Sequence, residues 1–505
     1  MGQIFIPAPV GGLDFTGDFF DGDSRFAMRL DNLLCRKEGL RQFPGSVVTG
    51  GAPPSPLRTV FSAISSAGVP EVWVTTLAGV YQLTAGAYGA LAIALTNAAG
   101  REDQCVSFSV DAGNYTLLFN GVDSPKIYNG AAWAAASITG PTLTNVTQGV
   151  VYRRRLYMTE LGKLGFWYLN PNAITGAAVF YNAGTLAQRG GSVACISILT
   201  LDGGEGSNDL LLLFTTQGEL LVFSGNDPGD STWTPLGTFN IGAPPSFARG
   251  VHLMKPVGGD TYVLTSAGLF SVAGFLRDKV VSPSSRINPY FRNAIEASYT
   301  PRLFYIPSQR LVILGVSATF ALCMDQETGA WSQETGAAGC FGRGISFAEV
   351  NLAAAGNATA FVDLVSNRLY YTPLGNVWST SSVVIYTPYT RSKNLRPQDP
   401  LQVWPHFFYG AGTPNLSVGA AFNFNNVYNE QTWGASACRT GVGPSAADIT
   451  YPVSGTTSAA WKTIPGVMAY NFSLSFSASG FSTAANLRFW GWDLRTEVGA
   501  PGSMT

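Results

Sequence analysis

The run from Asp209 to Ser224, DLLLLFTTQGELLVFS, limits the possible folds more than any other stretch. Two apolar segments, 210–214 and 220–223, flank a polar link at 215–219. Segments so short and so apolar read as strands, and the link reads as a hairpin turn in which Gly218 can take positive φ without a Cβ penalty. The same shape recurs at 71–83 around Gly79, at 115–123 around Gly121 and at 261–272 around Gly268. Weaker copies lie at 155–167, 303–314 and 367–378.

Successive turns, from Gly79 through Gly121, Gly162, Gly218 and Gly268 to Gln309, are 42, 41, 56, 50 and 41 residues apart. A period of about 40–50 residues with several strands per unit is the signature of propeller blades, each needing neighbours to cover both faces of its sheet. The expected fold class is therefore all-β: a β-propeller of about 6–7 blades, with an N-terminal arm and a C-terminal β domain. A sandwich built from the same hairpins is the competing reading. Composition places the boundaries. Pro7, Pro9 and the apolar residues around them make 1–50 an extended arm, GGAPPSP at 50–56 is a linker, and the propeller spans 51–382. Beyond it, Pro388, Pro397, Pro400, Pro405 and Pro414 break the pattern, and the alternating stretches at 416–422 and 470–477 mark 383–505 as a small β domain with a loose tail. One short helix is expected at 287–295.

Charge is sparse. Only 12% of residues are Asp, Glu, Lys or Arg and the net charge is −1, so no basic footprint for nucleic acid stands out. The densest basic run is Arg153-Arg154-Arg155; on a strand, Arg153 and Arg155 would share one face and Arg154 the other. Six cysteines without a Cys-x-x-Cys pair read as reduced thiols, and two histidines, His252 and His406, are too few for most zinc or triad chemistry. The N-terminus lacks the pattern of a signal peptide, and Ile6 stands where a myristoylation motif needs Ser or Thr. No apolar run approaches the roughly 20 residues of a membrane-spanning helix, so no membrane insertion is expected.

Catalytic and metal signals are weak. Residues 224–233, SGNDPGDSTW, are off register from the Asp-box of sialidases and occur once. Residues 202–209, DGGEGSND, supply oxygen ligands of the type calcium takes, without the EF-hand spacing, and read as a polar loop. No catalytic, cofactor or metal residue is assigned, and the chain is expected not to be an enzyme.

An ordered set of stretches resembles the tail nozzle proteins (tail tubular protein B) of short-tailed bacteriophages and their shorter relatives, the packaged-DNA stabilization proteins. The set begins with Pro9-Val-Gly-Gly-Leu13, Leu30-Asp-Asn-Leu-Leu-Cys-Arg-Lys-Glu-Gly-Leu-Arg41 and Leu118-Phe-Asn-Gly-Val-Asp-Ser-Pro-Lys-Ile-Tyr-Asn-Gly130. It continues with Arg155-Leu-Tyr157, Trp167-Tyr-Leu169, Gly190-Gly191, residues 202–210, Thr216-Gln-Gly-Glu219, Gly225-Asn-Asp-Pro228 and Ile287-Asn-Pro289. The likeness covers roughly residues 5–330; the region beyond about 380 has no match, and the insertion that extends the nozzle tip in the largest members is absent.

The resemblance implies a structural virion component, assembled in the host bacterial cytoplasm. It would form a homo-hexamer below a dodecameric head-to-tail adaptor, bear tail fibres or spikes, retain packaged genomic double-stranded DNA and pass it non-specifically during ejection. On that reading Pro9, Gly12, Leu30, Asn32, Gly39 and Arg41 would meet the adaptor or a neighbouring subunit. Arg153, Arg154, Arg155, Lys393 and Arg396 would be candidates for charges facing the DNA channel. A near-neutral wall suits a conduit, because each neutralised phosphate strengthens non-specific binding. The competing function is a carbohydrate-binding or glycan-degrading propeller.

Overall fold

The computed structural model describes residues 2–16, 23–49, 51–98, 101–201, 208–277, 282–294, 299–336, 340–352, 356–373, 382–387, 390–391, 398–408, 415–422, 462–464, 471–480 and 487–498. Two compact units emerge from the contacts: residues 47–318 with 343–374, and residues 1–46 with 319–342 and 375–505.

The first unit is a β-propeller. Its sheets are antiparallel and follow the chain in order. Blade 1 holds Leu57–Ile64, Pro70–Thr76, Gly79–Thr84 and Ala87–Ala94; blade 2 holds Gln104–Val110, Gly113–Phe119, Lys126–Tyr128 and Trp133–Ala135. Blade 3 holds Val146–Tyr152, Arg155–Glu160, Gly165–Tyr168 and Val179–Asn182; blade 4 holds Val193–Leu201, Asn208–Thr215, Glu219–Ser224 and Thr234–Asn240. Blade 5 has three strands, Met254–Val257, Asp260–Thr265 and Gly268–Ser271, followed by the helices Val272–Arg277 and Asn288–Ala294. Blade 6 enters the unit as Arg302–Ile306 and Leu311–Gly315. Blade 7 holds Gly344–Leu352, Gly356–Asp363 and Arg368–Pro373.

Among the described residues the first strands of these seven sheets touch in succession, and that of blade 7 touches that of blade 1, so the ring is closed. A strand from before blade 1 completes blade 7: Val47–Val48 pairs with Arg368–Pro373, Tyr370 opposite Val48. Thr49 N–H then donates to Leu369 O at 2.8 Å, which ties the chain's entry into the ring to its last sheet.

The run 209–224 explains why the ring needs every blade. Leu210, Leu212, Phe214, Leu220 and Val222 pack with Met254, Val263 and Phe270 of blade 5. Their neighbours Leu211, Leu213, Leu221 and Phe223 pack with Tyr152, Tyr157, Phe166 and Tyr168 of blade 3. Successive side chains of a strand point to opposite faces, so a sheet covered on both sides is apolar at every position. At the tip, Gly218 has φ +85° and its Cα lies so close to the Gly242–Ala243 backbone that a Cβ would stand 2.5 Å from Gly242 C.

The second unit is built from distant parts of the chain. One sheet runs Lys462–Ile464, Gln398–Phe408, Arg488–Val498, Gly39–Gln42, Leu33–Arg36, and Gly2–Pro7 also pairs with Arg488–Val498. The other contains Phe320–Asp325, Trp331–Thr335, Arg29–Asp31, Val383–Tyr386 and Asn471–Ser479, with Asn415–Phe422 alongside the last. Phe476 of one sheet meets Phe489 of the other with ring centroids 4.7 Å apart. The expected alternation holds at Leu474, Phe476 and Ala478, all buried; Ser473 is buried as well because its hydroxyl donates to Thr387 O at 2.6 Å.

Two local expectations change. The N-terminal segment is a paired strand of its own chain, from Gly2 opposite Thr496 to Pro7 opposite Gly491, because the first proline falls at the strand's end, where the ladder stops. Arg368–Pro373 follows Gly356–Asp363 through a turn at 364–367, with Asp363 opposite Arg368, and the second half of the 367–378 pattern, from 374 on, lies outside the described residues. Arg153 and Arg154 do not lie on a strand: with φ of 45° and 62° they are the two central residues of a tight hairpin turn closed by Tyr152 opposite Arg155, a position that demands positive φ.

Candidate assembly interface

The residues expected at the adaptor serve the interior of the second unit. Leu30 is fully buried, and Pro9, Gly12 and Gly39 are buried too. Gly12 lies against Trp331, where a Cβ would come within 2.5 Å of Trp331 O. Asn32, at φ 61°, turns the chain from Arg29–Asp31 in one sheet to Leu33–Arg36 in the other. Its amide donates to Ser382 O at 2.6 Å and its carbonyl oxygen accepts Thr335 N–H at 2.8 Å. Arg41 is half-buried opposite Arg488, and burial followed by the Arg488 charge lowers its pKa. The structure therefore gives these six positions in-chain roles, with only Arg41 partly open to solvent.

The three arginines of blade 3 also separate. Arg155 is buried; its guanidinium pairs with Asp227 at 2.5 Å and donates to Leu169 O at 3.3 Å. That location removes it as a free channel charge. Arg153 bonds Asn226 Oδ1 and lies over the Tyr152 ring at 5.5 Å. Arg154 alone projects into solvent, with Asp111 3.8 Å away and equally exposed. Asp227, in the Asp-box-like stretch, accepts Gly229 N–H at 2.9 Å and holds Arg155, while Trp233 is buried in the aromatic core. The stretch thus ties two blades together. Lys393, Arg396, Trp378 and the loop 202–207 lie outside the described residues.

The surface that calls for a partner is an edge the sequence reading passed over. Ala87–Ala94, AYGALAIA, is the outer strand of blade 1 and among the described residues pairs only with Gly79–Thr84. Ala87, Gly89, Ala90, Leu91, Ala92 and Ala94 are exposed, Leu91 at 48%. The strand carries no charge and no proline, the usual guards on a free edge. Two register irregularities at Val80/Tyr81 and Tyr81/Leu83 interrupt its ladder, so it offers side chains more than a long row of backbone groups. Other outer strands repeat the pattern: Val179 is 52% and Leu236 51% exposed, on blades 3 and 4. In the sequence this strand shows as the apolar run at 90–95.

Among the described residues no group of His, Cys, Asp and Glu is arranged to hold a metal ion, and no helix is long and apolar enough to cross a membrane. No family model and no curated protein matches the chain. Among solved structures, the chain is similar to BBS1N in complex with ARL6DN, soaked with mercury, at TM-score 0.41 and 11% identity over 66% of this chain and 98% of that one. A lead-soaked form of the same complex matches at TM-score 0.33 and 13% identity, over 56% and 78% of the two chains.

Proposed function

We propose that this chain is a structural subunit of a short-tailed phage tail, a nozzle protein that assembles as a hexameric ring below the head-to-tail adaptor. In that place it would retain the packaged genome and let it pass. The reading rests on the ordered motif resemblance; the structural observation that supports it best is the uncharged, exposed outer strand Ala87–Ala94. A wall subunit needs a stiff body and contact surfaces, and no reactive centre. A closed propeller gives stiffness through blade-to-blade cores. Its apolar outer edges are surfaces that a lone soluble protein keeps small and a subunit covers. The low charge of the whole chain, 12%, suits a wall past which DNA slides without being held.

Burying Leu91 from half exposure gives on the order of 1 kcal/mol per contact, and a ring repeats each contact six times. Reconstitution with the dodecameric adaptor tests the reading, with mass measured under native conditions. Wild-type protein is expected to add six copies per adaptor. Leu91→Asp should add fewer while the free chain keeps its unfolding temperature within about 1–2 °C, as for a surface change. Failure of the wild-type chain to associate in any ratio would overturn the proposal.

A further inference from the structure

Blade 7 is thinly closed on its outer side: its fourth strand, Val47–Val48, stands opposite Tyr371 and Tyr370 and extends no further. Beside that strand, where blade 7 meets blade 1, lies a cavity of about 320 Å³. Val72 and Leu83 of blade 1 and Leu352 and Tyr371 of blade 7 line it, with Val48 and Thr49 from the chain's entry into the ring. Those four blade residues also belong to the apolar core between the two blades, together with Val60, Val74 and Val350. Val72 and Leu83 are buried and make the floor, while Val48, Pro70, Ala85 and Asn351 are exposed and make the mouth. The core between blades 1 and 7 thus stops short of the sheet edges and leaves a concave apolar wall open to water.

No lysine or arginine lines this space, and its one carboxylate is turned elsewhere. Glu71 Oε2 accepts the Tyr128 hydroxyl at 2.6 Å and Trp73 Nε1–H at 3.2 Å. Tyr128 and Trp73 belong to the core on the other face of blade 1, against blade 2. Alternation along Pro70–Thr76 requires this split, since Val72 and Val74 face blade 7 and Glu71 and Trp73 face blade 2. Gln82, opposite Trp73, is on the blade 2 side as well. Tyr371 supplies the polar contact. It is half-buried against the core of blades 1 and 7, and among the described residues its hydroxyl has no hydrogen-bond partner. The Thr49 hydroxyl, by contrast, donates to Leu369 O at 3.3 Å. A concave apolar wall with an uncommitted phenol and no facing charge selects a neutral ligand with an apolar body and one hydrogen-bonding group.

We propose that this cavity binds a small neutral molecule built on a flat apolar ring system and carrying a carbonyl acceptor, to which the Tyr371 hydroxyl donates. The rings displace water from Val72, Leu83 and Leu352, and the acceptor receives the hydrogen bond that Tyr371 otherwise gives to water. A space of about 320 Å³ admits a fused bicyclic ring with a short substituent. The site lies within one propeller and goes beyond the role in ring assembly, which it neither needs nor predicts.

Acetylnaphthalene and ethylnaphthalene, substituted at the same ring position, are the probes; one has a carbonyl oxygen where the other has two hydrogens. Equilibrium dialysis against the full chain reads both, and each is expected to saturate at one molecule per chain. Tyr371→Phe should weaken acetylnaphthalene about threefold to tenfold and leave ethylnaphthalene unchanged, a split that loss of the fold cannot produce. Leu352→Trp, which fills the space from its wall, should abolish binding of both. Leu236→Ala, on the exposed edge of blade 4, should change neither. Absence of saturable binding to the wild type, binding that survives Leu352→Trp, or a Tyr371→Phe effect equal for the two probes would overturn the proposal.

Discussion

Asp103→Asn is the substitution whose cost can be worked most fully from the structure. Arg101 is buried, and both terminal nitrogens of its guanidinium are engaged. It donates to Thr96 O at 2.7 Å, to Thr76 O and to Leu77 O at 3.4 Å. Nη2 donates to Asp103 Oδ2 at 3.1 Å, while Nε lies 2.9 Å from Oδ1 without the alignment of a hydrogen bond. Asp103 Oδ2 also accepts the Thr75 hydroxyl at 2.5 Å. Asparagine keeps the shape and removes the charge. An arginine cannot shed its proton, so the folded state would hold an uncompensated guanidinium, at about 3–5 kcal/mol.

In a domain of this size about 2 °C is lost per kcal/mol, so the propeller's unfolding temperature should fall by about 6–10 °C. The partner substitution behaves differently. Arg101→Met leaves a buried carboxyl that can take up a proton, so its penalty should shrink as the pH is lowered toward 5. Replacing both, with Met at 101 and Leu at 103, should recover most of the loss. Calorimetry and urea titration read all three. An Asp103→Asn protein within 1 kcal/mol of wild type would refute the reasoning.

Glu334 gives a pH test in the second unit: it is buried, its Oε2 accepts Gly342 N–H at 2.8 Å, and burial pushes its pKa from 4.5 up to about 8. The folded state then holds the proton longer than the unfolded state. Stability is greatest below about 4.5 and is lost as pH rises to about 8, at up to about 1.4 kcal/mol per pH unit. Glu334→Gln should flatten that slope in pH-dependent melting, and an unchanged slope would contradict the assignment. Gly218→Ala should cost at least about 2 kcal/mol by urea titration, from positive φ and backbone contact together. Gly113→Ala, at φ +135° with nothing within 4 Å, is the milder control.

Legibility in the sequence followed burial on both faces. The run at 209–224 is readable because every position is covered, which leaves an apolar run that only a strand between two neighbours satisfies. The turns at Gly218 and Gly268 were legible for the same reason. Short elements carried no such signal: Val47–Val48, which completes blade 7, is two residues long and shows no period. Arg153 and Arg154 misled because a two-residue turn between strands leaves the flanking pattern unbroken. Pro9 and Leu30 read as a partner-facing segment because the strands that cover them, in Arg488–Val498, Trp331–Thr335 and Val383–Tyr386, come hundreds of residues later.

The most direct test of the account is the symmetry of this chain in an assembled particle. A class average of isolated phage particles carrying the labelled chain should show six copies in one ring beneath the head. A label distributed over the head, or a single copy per tail, would contradict it.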